Sequence, residues 1–84
     1  MATDGRQRLQ RLRWLCRRGM KELDVLLARW LERRWPEADA DRRLAFQWLL
    51  EQPDPDLADW LIGGSRPADP VRAALLDDIV RRFD

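Results

Sequence analysis

Residues 17 to 24 read Arg17-Arg18-Gly19-Met20-Lys21-Glu22-Leu23-Asp24, three cations and two carboxylates gathered around one glycine. Arginine presents a planar fork of donors that suits a carboxylate or a backbone carbonyl, and a carboxylate accepts from an arginine or from backbone amides. Glycine adds a position where the backbone can turn with positive φ, or where a second chain can come close. This is chemistry for recognising another polypeptide. The same residues also punctuate helices. Arg17 and Arg18 complement the carboxyl end of one helix, Gly19 ends it, and Glu22 and Asp24 fall in the opening turn of the next. The candidate partner-contacting residues are therefore Arg17, Arg18, Gly19, Glu22 and Asp24, joined by Trp14 for a reason given below.

Catalysis is poorly supplied. The chain has no His, Tyr or Asn, and one each of Ser, Thr and Cys: Ser65, Thr3 and Cys16. A nucleophile, a base and an orienting group cannot be assembled from these in the usual way, so the chain reads as a non-enzyme. Cys16 shares an apolar stripe with Leu9, Leu12 and Leu15 and is expected as a buried small hydrophobe. Asp54, Asp56 and Asp59 look like oxygen ligands for a cation, but helix capping accounts for the first two and the rest of a calcium loop is missing. Gly63-Gly64 follows a helix instead of opening one after a strand, so no phosphate-binding loop is assigned. The reading is of no metal and no cofactor of its own.

Eighty-four residues make one domain, 1–84, with residues 1–5 read as a flexible tail. So short a chain leaves little room for an enclosed cavity and must work by its surface. The apolar fraction of 45%, with five Trp, is enough for a core, and 37% charged residues with a net charge of +1 argue against a disordered chain. Apolar runs are a few residues long. That leaves no membrane span, and the start Met-Ala-Thr-Asp-Gly-Arg lacks the apolar stretch of a secretory signal. One cysteine suits a reducing compartment, and a cytoplasmic monomer is expected. Charge is uneven: residues 1–36 hold ten Arg/Lys against four acids and residues 37–84 six against eleven, so +6 faces −5. Such asymmetry marks a nucleic-acid surface or a docking face for a partner, or else solvated helix faces.

Five helices must position these groups. In the first, 6–18, Leu9, Leu12, Leu15 and Cys16 form one stripe, with Trp14 nearly opposite it and Arg18 on Trp14's side. Trp14 either packs against another segment or awaits a partner beside Arg18. The second, Met20 to Trp35, places Leu23, Leu26, Leu27, Trp30 and Leu31 at i, i+3, i+4, i+7 and i+8, and Pro36 ends it. The run Glu37-Ala38-Asp39-Ala40-Asp41 supplies acidic caps to a third helix running to about Gln52. Its buried positions are Leu44, Ala45, Trp48 and Leu49, with Phe46 and Leu50 on the flank. Asp54-Pro55 caps a short fourth helix that ends at Gly63-Gly64. Asp69-Pro70 repeats the device for a fifth helix through about Arg82, with Val71, Leu75, Leu76, Ile79, Val80 and Phe83 apolar. No segment alternates with the two-residue period of a strand. The expected architecture is all-α, a small single-domain five-helix bundle.

The run Trp14-Leu15-Cys16-Arg17-Arg18-Gly19-Met20-Lys21-Glu22-Leu23-Asp24 resembles the signature of the SdhE/YgfY family, small helical factors that promote covalent FAD attachment to the flavoprotein subunit of succinate dehydrogenase. The family's R-G-x-x-E hallmark stands here as Arg18-Gly19-x-x-Glu22. The match extends to Asp54-Pro55-Asp56-Leu57 followed by Trp60-Leu61, and to Arg66-Pro67-Ala68-Asp69, which is similar to the Lys-Pro-Ala-Asp of relatives. It covers roughly residues 8 to 83 and departs around Leu26–Glu32 and in the third helix. The resemblance implies an assembly factor whose partner, the flavoprotein subunit, holds both the FAD and the acceptor histidine, with fumarate reductase as a further candidate partner. Arg18 would then donate to a partner carboxylate or carbonyl and Glu22 would accept. The helper would favour one state of the partner without touching the chemistry.

The rival from another class is a nucleic-acid-binding helix–turn–helix module, with Arg6, Arg8, Arg11 and Arg13 on phosphates. Scarce Ser and Thr, absent Asn, and the acids Glu22 and Asp24 at the start of the would-be recognition helix weigh against it. A toxin-neutralising role, sometimes attached to the same family, is neither favoured nor excluded by these residues.

Overall fold

A computed structural model describes residues 2–81, with side chains from residue 7 onward. Among these residues the chain is all-α, five helices and a single 3-10 turn with no strand: α1 Ala2–Leu15, α2 Lys21–Arg33, the turn Trp35–Glu37, α3 Ala40–Leu50, α4 Asp54–Leu61 and α5 Pro70–Val80. No helix among them is long and apolar enough to cross a membrane. Helix α3 packs on α5 and α1, while α2 packs on α1, α4 and α5.

The core follows from the α2 stripe. Leu23, Leu27, Trp30 and Leu31 are buried, and Trp30 stacks on Phe46 of α3 with ring centroids 4.6 Å apart. Trp35 meets both rings edge-on. Leu12 and Cys16 from α1, Leu57 and Leu61 from α4, and Leu75, Leu76 and Ile79 from α5 complete the cluster. Leu26, expected in the stripe, lies at its edge and is partly buried.

In α3 the buried face is turned from the expected one by about one residue, about 100° of helix. Ala45, Phe46, Leu49 and Leu50 point inward, while Leu44 is 63% exposed. The seat of Phe46 on Trp30 fixes that rotation, because an aromatic pair buries more area than Leu44 could. Trp48, now at the edge, stacks on Trp60 and carries the Arg72 guanidinium 3.9 Å over its ring. Val71, counted among the apolar residues of the fifth helix, is also exposed. Phe83 lies outside the described residues.

The two Asp-Pro cap signals part company. Asp69 is the N-cap of α5, its carboxylate accepting from the amides of Val71 and Arg72. Asp54, expected to cap α4, is instead that helix's first residue. The N-cap position falls on Pro53, and no side chain caps the end. Of the acidic run 37–41 expected to cap α3, Asp39 is the residue that does so, accepting from the Arg42 amide.

One buried charge was not foreseen. Asp78 of α5 is buried and accepts from the Trp30 indole N–H at 2.7 Å and from both Nε and Nη2 of Arg34 at 3.1 Å, with Arg42 3.8 Å away. Burial pushes its carboxyl up, but the hydrogen bonds from Arg34 and Trp30 and the charges of Arg34 and Arg42 outweigh it. The carboxyl therefore sits below its ordinary value. Elsewhere Arg66, from the Arg66-Pro67-Ala68-Asp69 run, fastens the α4–α5 connection, donating to the Trp60 and Ser65 carbonyls and to Asp77.

Candidate functional site

The expected first helix, 6–18, is observed as α1 with an earlier start and a stop at Leu15. Arg17 and Arg18 consequently belong to the link and not to the last helical turn. The cause is local. The Arg17 amide donates to the Trp14 carbonyl at 3.1 Å, whereas the Arg18 amide turns to the Asp24 carboxylate, 2.7 Å away. An α-helical Arg18 would have needed the Trp14 carbonyl four residues back. Asp24 thus binds the link from within the first turn of α2, where its charge also suits the helix dipole.

Gly19 has φ of +85°, in the left-handed region that favours glycine. It delivers the chain into α2 instead of ending α1. A Cβ built on it would meet nothing within 4 Å, so the space above this peptide is open. The sequence could not separate the two uses of this glycine. The structure makes the turn a fact and leaves the approach to its backbone unobstructed.

The Arg18 side chain is less available than its place opposite the apolar stripe suggested. It is 16% exposed. Its Nη2 donates to the Leu50 carbonyl at the end of α3, and its Nη1 lies 3.6 Å from the Asp54 carboxylate. Neither partner was visible in the sequence, being 32 and 36 residues away. Arg17 and Glu22, by contrast, are exposed, as is Trp14 at 69%. The helical-wheel placement of Trp14 away from the leucines therefore holds.

A groove of about 610 Å³ runs between the end of α1, the link and the outer face of α2. Arg17, Gly19 and Asp24 line it, together with Arg13, Cys16, Val25, Ala28 and Glu32. Trp14, Arg18 and Glu22 are not in its lining, though all three belong to the same end of the molecule. Val25, 53% exposed, is the residue the sequence reading passed over. Its signal was available: like Trp14 it is apolar yet off the stripe of its own helix. Cys16 forms part of the wall but is 1% exposed, and burial pushes its thiol up to about 12, with Arg18 pulling down and Asp24 adding to the rise. A thiol so placed behaves as a small hydrophobe and not as a nucleophile. Among the described residues no cluster of His, Cys, Asp and Glu is arranged to hold a metal ion.

The groove and its rim can therefore bind a polypeptide: an apolar floor, charges of both signs at the edge, an open glycine backbone and an exposed tryptophan. Comparison with known proteins gives the family. A family model described as flavinator of succinate dehydrogenase matches residues 10–83. An FAD assembly factor SdhE from Methylococcus capsulatus is 51% identical over 65 residues, 77% of this chain and 78% of that one. Those of Coxiella burnetii, at 47% over 58 residues, and Photobacterium profundum, at 41% over 70, cover 69% and 83% of this chain and 71% and 80% of their own lengths.

Proposed function

The chain belongs to the family of succinate dehydrogenase flavinators, and from that premise we propose that it binds the flavoprotein subunit of succinate dehydrogenase and promotes covalent attachment of FAD there. The docking face is the end of α1, the link and the first turns of α2, with Trp14, Arg17, Gly19 and Glu22 in contact and Arg18 and Asp24 holding the loop that presents them. The observation that carries this reading is the combination at one end of the molecule of an exposed tryptophan, exposed motif charges and an unobstructed glycine backbone beside a groove.

The FAD and its acceptor side chain belong to the partner, and this chain contributes no group to the bond that forms. It acts by affinity. A helper that binds more tightly to the partner state in which flavin and acceptor are aligned raises that state's population by the difference in affinity. Alignment is itself worth much of such a barrier. Fumarate reductase, whose flavoprotein subunit would have to present the same surface, is the second partner within this proposal.

The deciding experiment is in-gel fluorescence of covalent flavin in the flavoprotein subunits of both enzymes, with this gene present, deleted and restored. Loss on deletion and recovery on restoration are expected for succinate dehydrogenase. Equal covalent flavin in all three strains would overturn the proposal.

A further inference from the structure

We infer that Asp54 is a positioning residue for the 17–24 stretch: from the start of α4 it, with the Leu50 carbonyl, holds the Arg18 guanidinium and so fixes the loop that presents Gly19 and Glu22. The inference rests on the proposed function in one respect, that the loop is held for the flavoprotein partner.

Arg18 is gripped from two sides. Its backbone amide donates to Asp24 of α2, while its side chain reaches the α3–α4 junction, with Nη2 on the Leu50 carbonyl and Nη1 3.6 Å from Asp54. With 16% of that side chain exposed, little of it remains to be offered to a partner. The Asp54 carboxylate is not engaged in capping its own helix, whose N-cap position is Pro53 and carries no side-chain bond. The negative charge suits the amino end of α4 and the cation of Arg18 at once. The next residue after Arg18 is Gly19, held at φ +85° with open space above it. A loop anchored at Arg18 through both backbone and side chain loses less freedom on docking, and preorganisation of that kind raises affinity without adding a contact.

The test measures residue-resolved amide exchange in the isolated domain and capture of the apo-flavoprotein subunit, for wild type, Asp54→Asn, Asp54→Ala and Asp54→Glu. Exchange of the Arg18 amide should quicken by about three- to fivefold in the Asn and Ala variants, the scale of one partly exposed ion pair. The amides of Leu27 and Leu49 should keep wild-type rates. Capture should weaken by a similar factor, Asp54→Glu should retain both properties, and Asp54→Ala should add nothing in an Arg18→Ala background. An unchanged Arg18 amide, a uniform rise through the core, or an undiminished effect without Arg18 would each overturn the inference. Failure of the wild type to capture the flavoprotein would overturn the proposed function instead, and the exchange rates would still decide the role of Asp54.

Discussion

At the scale of single residues, Arg18 and Glu22 occupy one five-residue motif yet stand in different surroundings. From the sequence both were expected among the partner-contacting residues. Glu22 is exposed in the first turn of α2, and Glu22→Ala should change stability by about 1 kcal/mol or less. Arg18 has a structural duty as well. Truncating it strips a donor from the Leu50 carbonyl, so Arg18→Ala should cost about 1–3 kcal/mol in denaturant unfolding. Indistinguishable unfolding midpoints for the two variants would show that the Leu50 and Asp54 contacts hold nothing. Trp14 settles differently. At 69% exposure its ring contributes little to the core, and Trp14→Ala should leave the melting temperature near that of wild type. Capture of the apo-flavoprotein should nevertheless weaken by about 2 kcal/mol or more, the range of an interface anchor. A melting point several degrees lower, with capture lost only in proportion to unfolding, would return Trp14 to the scaffold.

At the scale of elements, the link between α1 and α2 and the junction of α2, α3 and α5 make separate predictions. Gly19→Ala should cost about 1–2 kcal/mol, because the left-handed conformation strains any L side chain while the new methyl meets no neighbour. Gly19→Asn should recover part of that stability, since Asn tolerates this region better. If Asn restores folding and capture stays poor, closeness of the partner's backbone is what the glycine serves; if both return together, the turn is. Asp78 gives a pH dependence. Its native carboxyl is held below the ordinary value, so the native state takes up this proton less readily than the unfolded one. The resulting stability is present above about pH 4 and is lost as the pH falls below that value toward the lower native one. Melting curves taken at descending pH should show an acid limb that is shallower in Asp78→Asn, and an identical limb in the variant would remove Asp78 from the cause. These two sites also mark what the sequence could and could not disclose. The α2 stripe, the Asp69 cap and the separation of Trp14 from the leucines follow from periodicity and local chemistry, and all are found. The rotation of α3, the diversion of Asp54 from cap to ion-pair partner, and the burial of Asp78 depend on residues 16 or more positions away, where no local pattern reaches.

At the scale of the molecule, an 84-residue domain has only some 5–10 kcal/mol of stability to lose, so a change in the scaffold and a change in the docking face can produce the same loss of function in a cell. They differ in how that loss tracks folding. Leu27 is 0% exposed at the centre of the core, and Leu27→Ala should cost about 2–5 kcal/mol, enough to leave a measurable unfolded fraction and lower cellular abundance. Its covalent flavin yield should fall in step with the amount of folded protein, and raising expression should restore it. Trp14→Ala and Glu22→Ala should behave otherwise: abundant, folded protein with low flavin yield that extra expression recovers weakly. Plotting flavin fluorescence of the partner against folded helper, measured in the same lysates, therefore divides the variants into two groups. A single line through all of them would mean that the exposed end of α1 and α2 has no role beyond keeping the bundle folded. A Leu27→Ala variant that melts like wild type would instead displace the α2 stripe from the centre of the core.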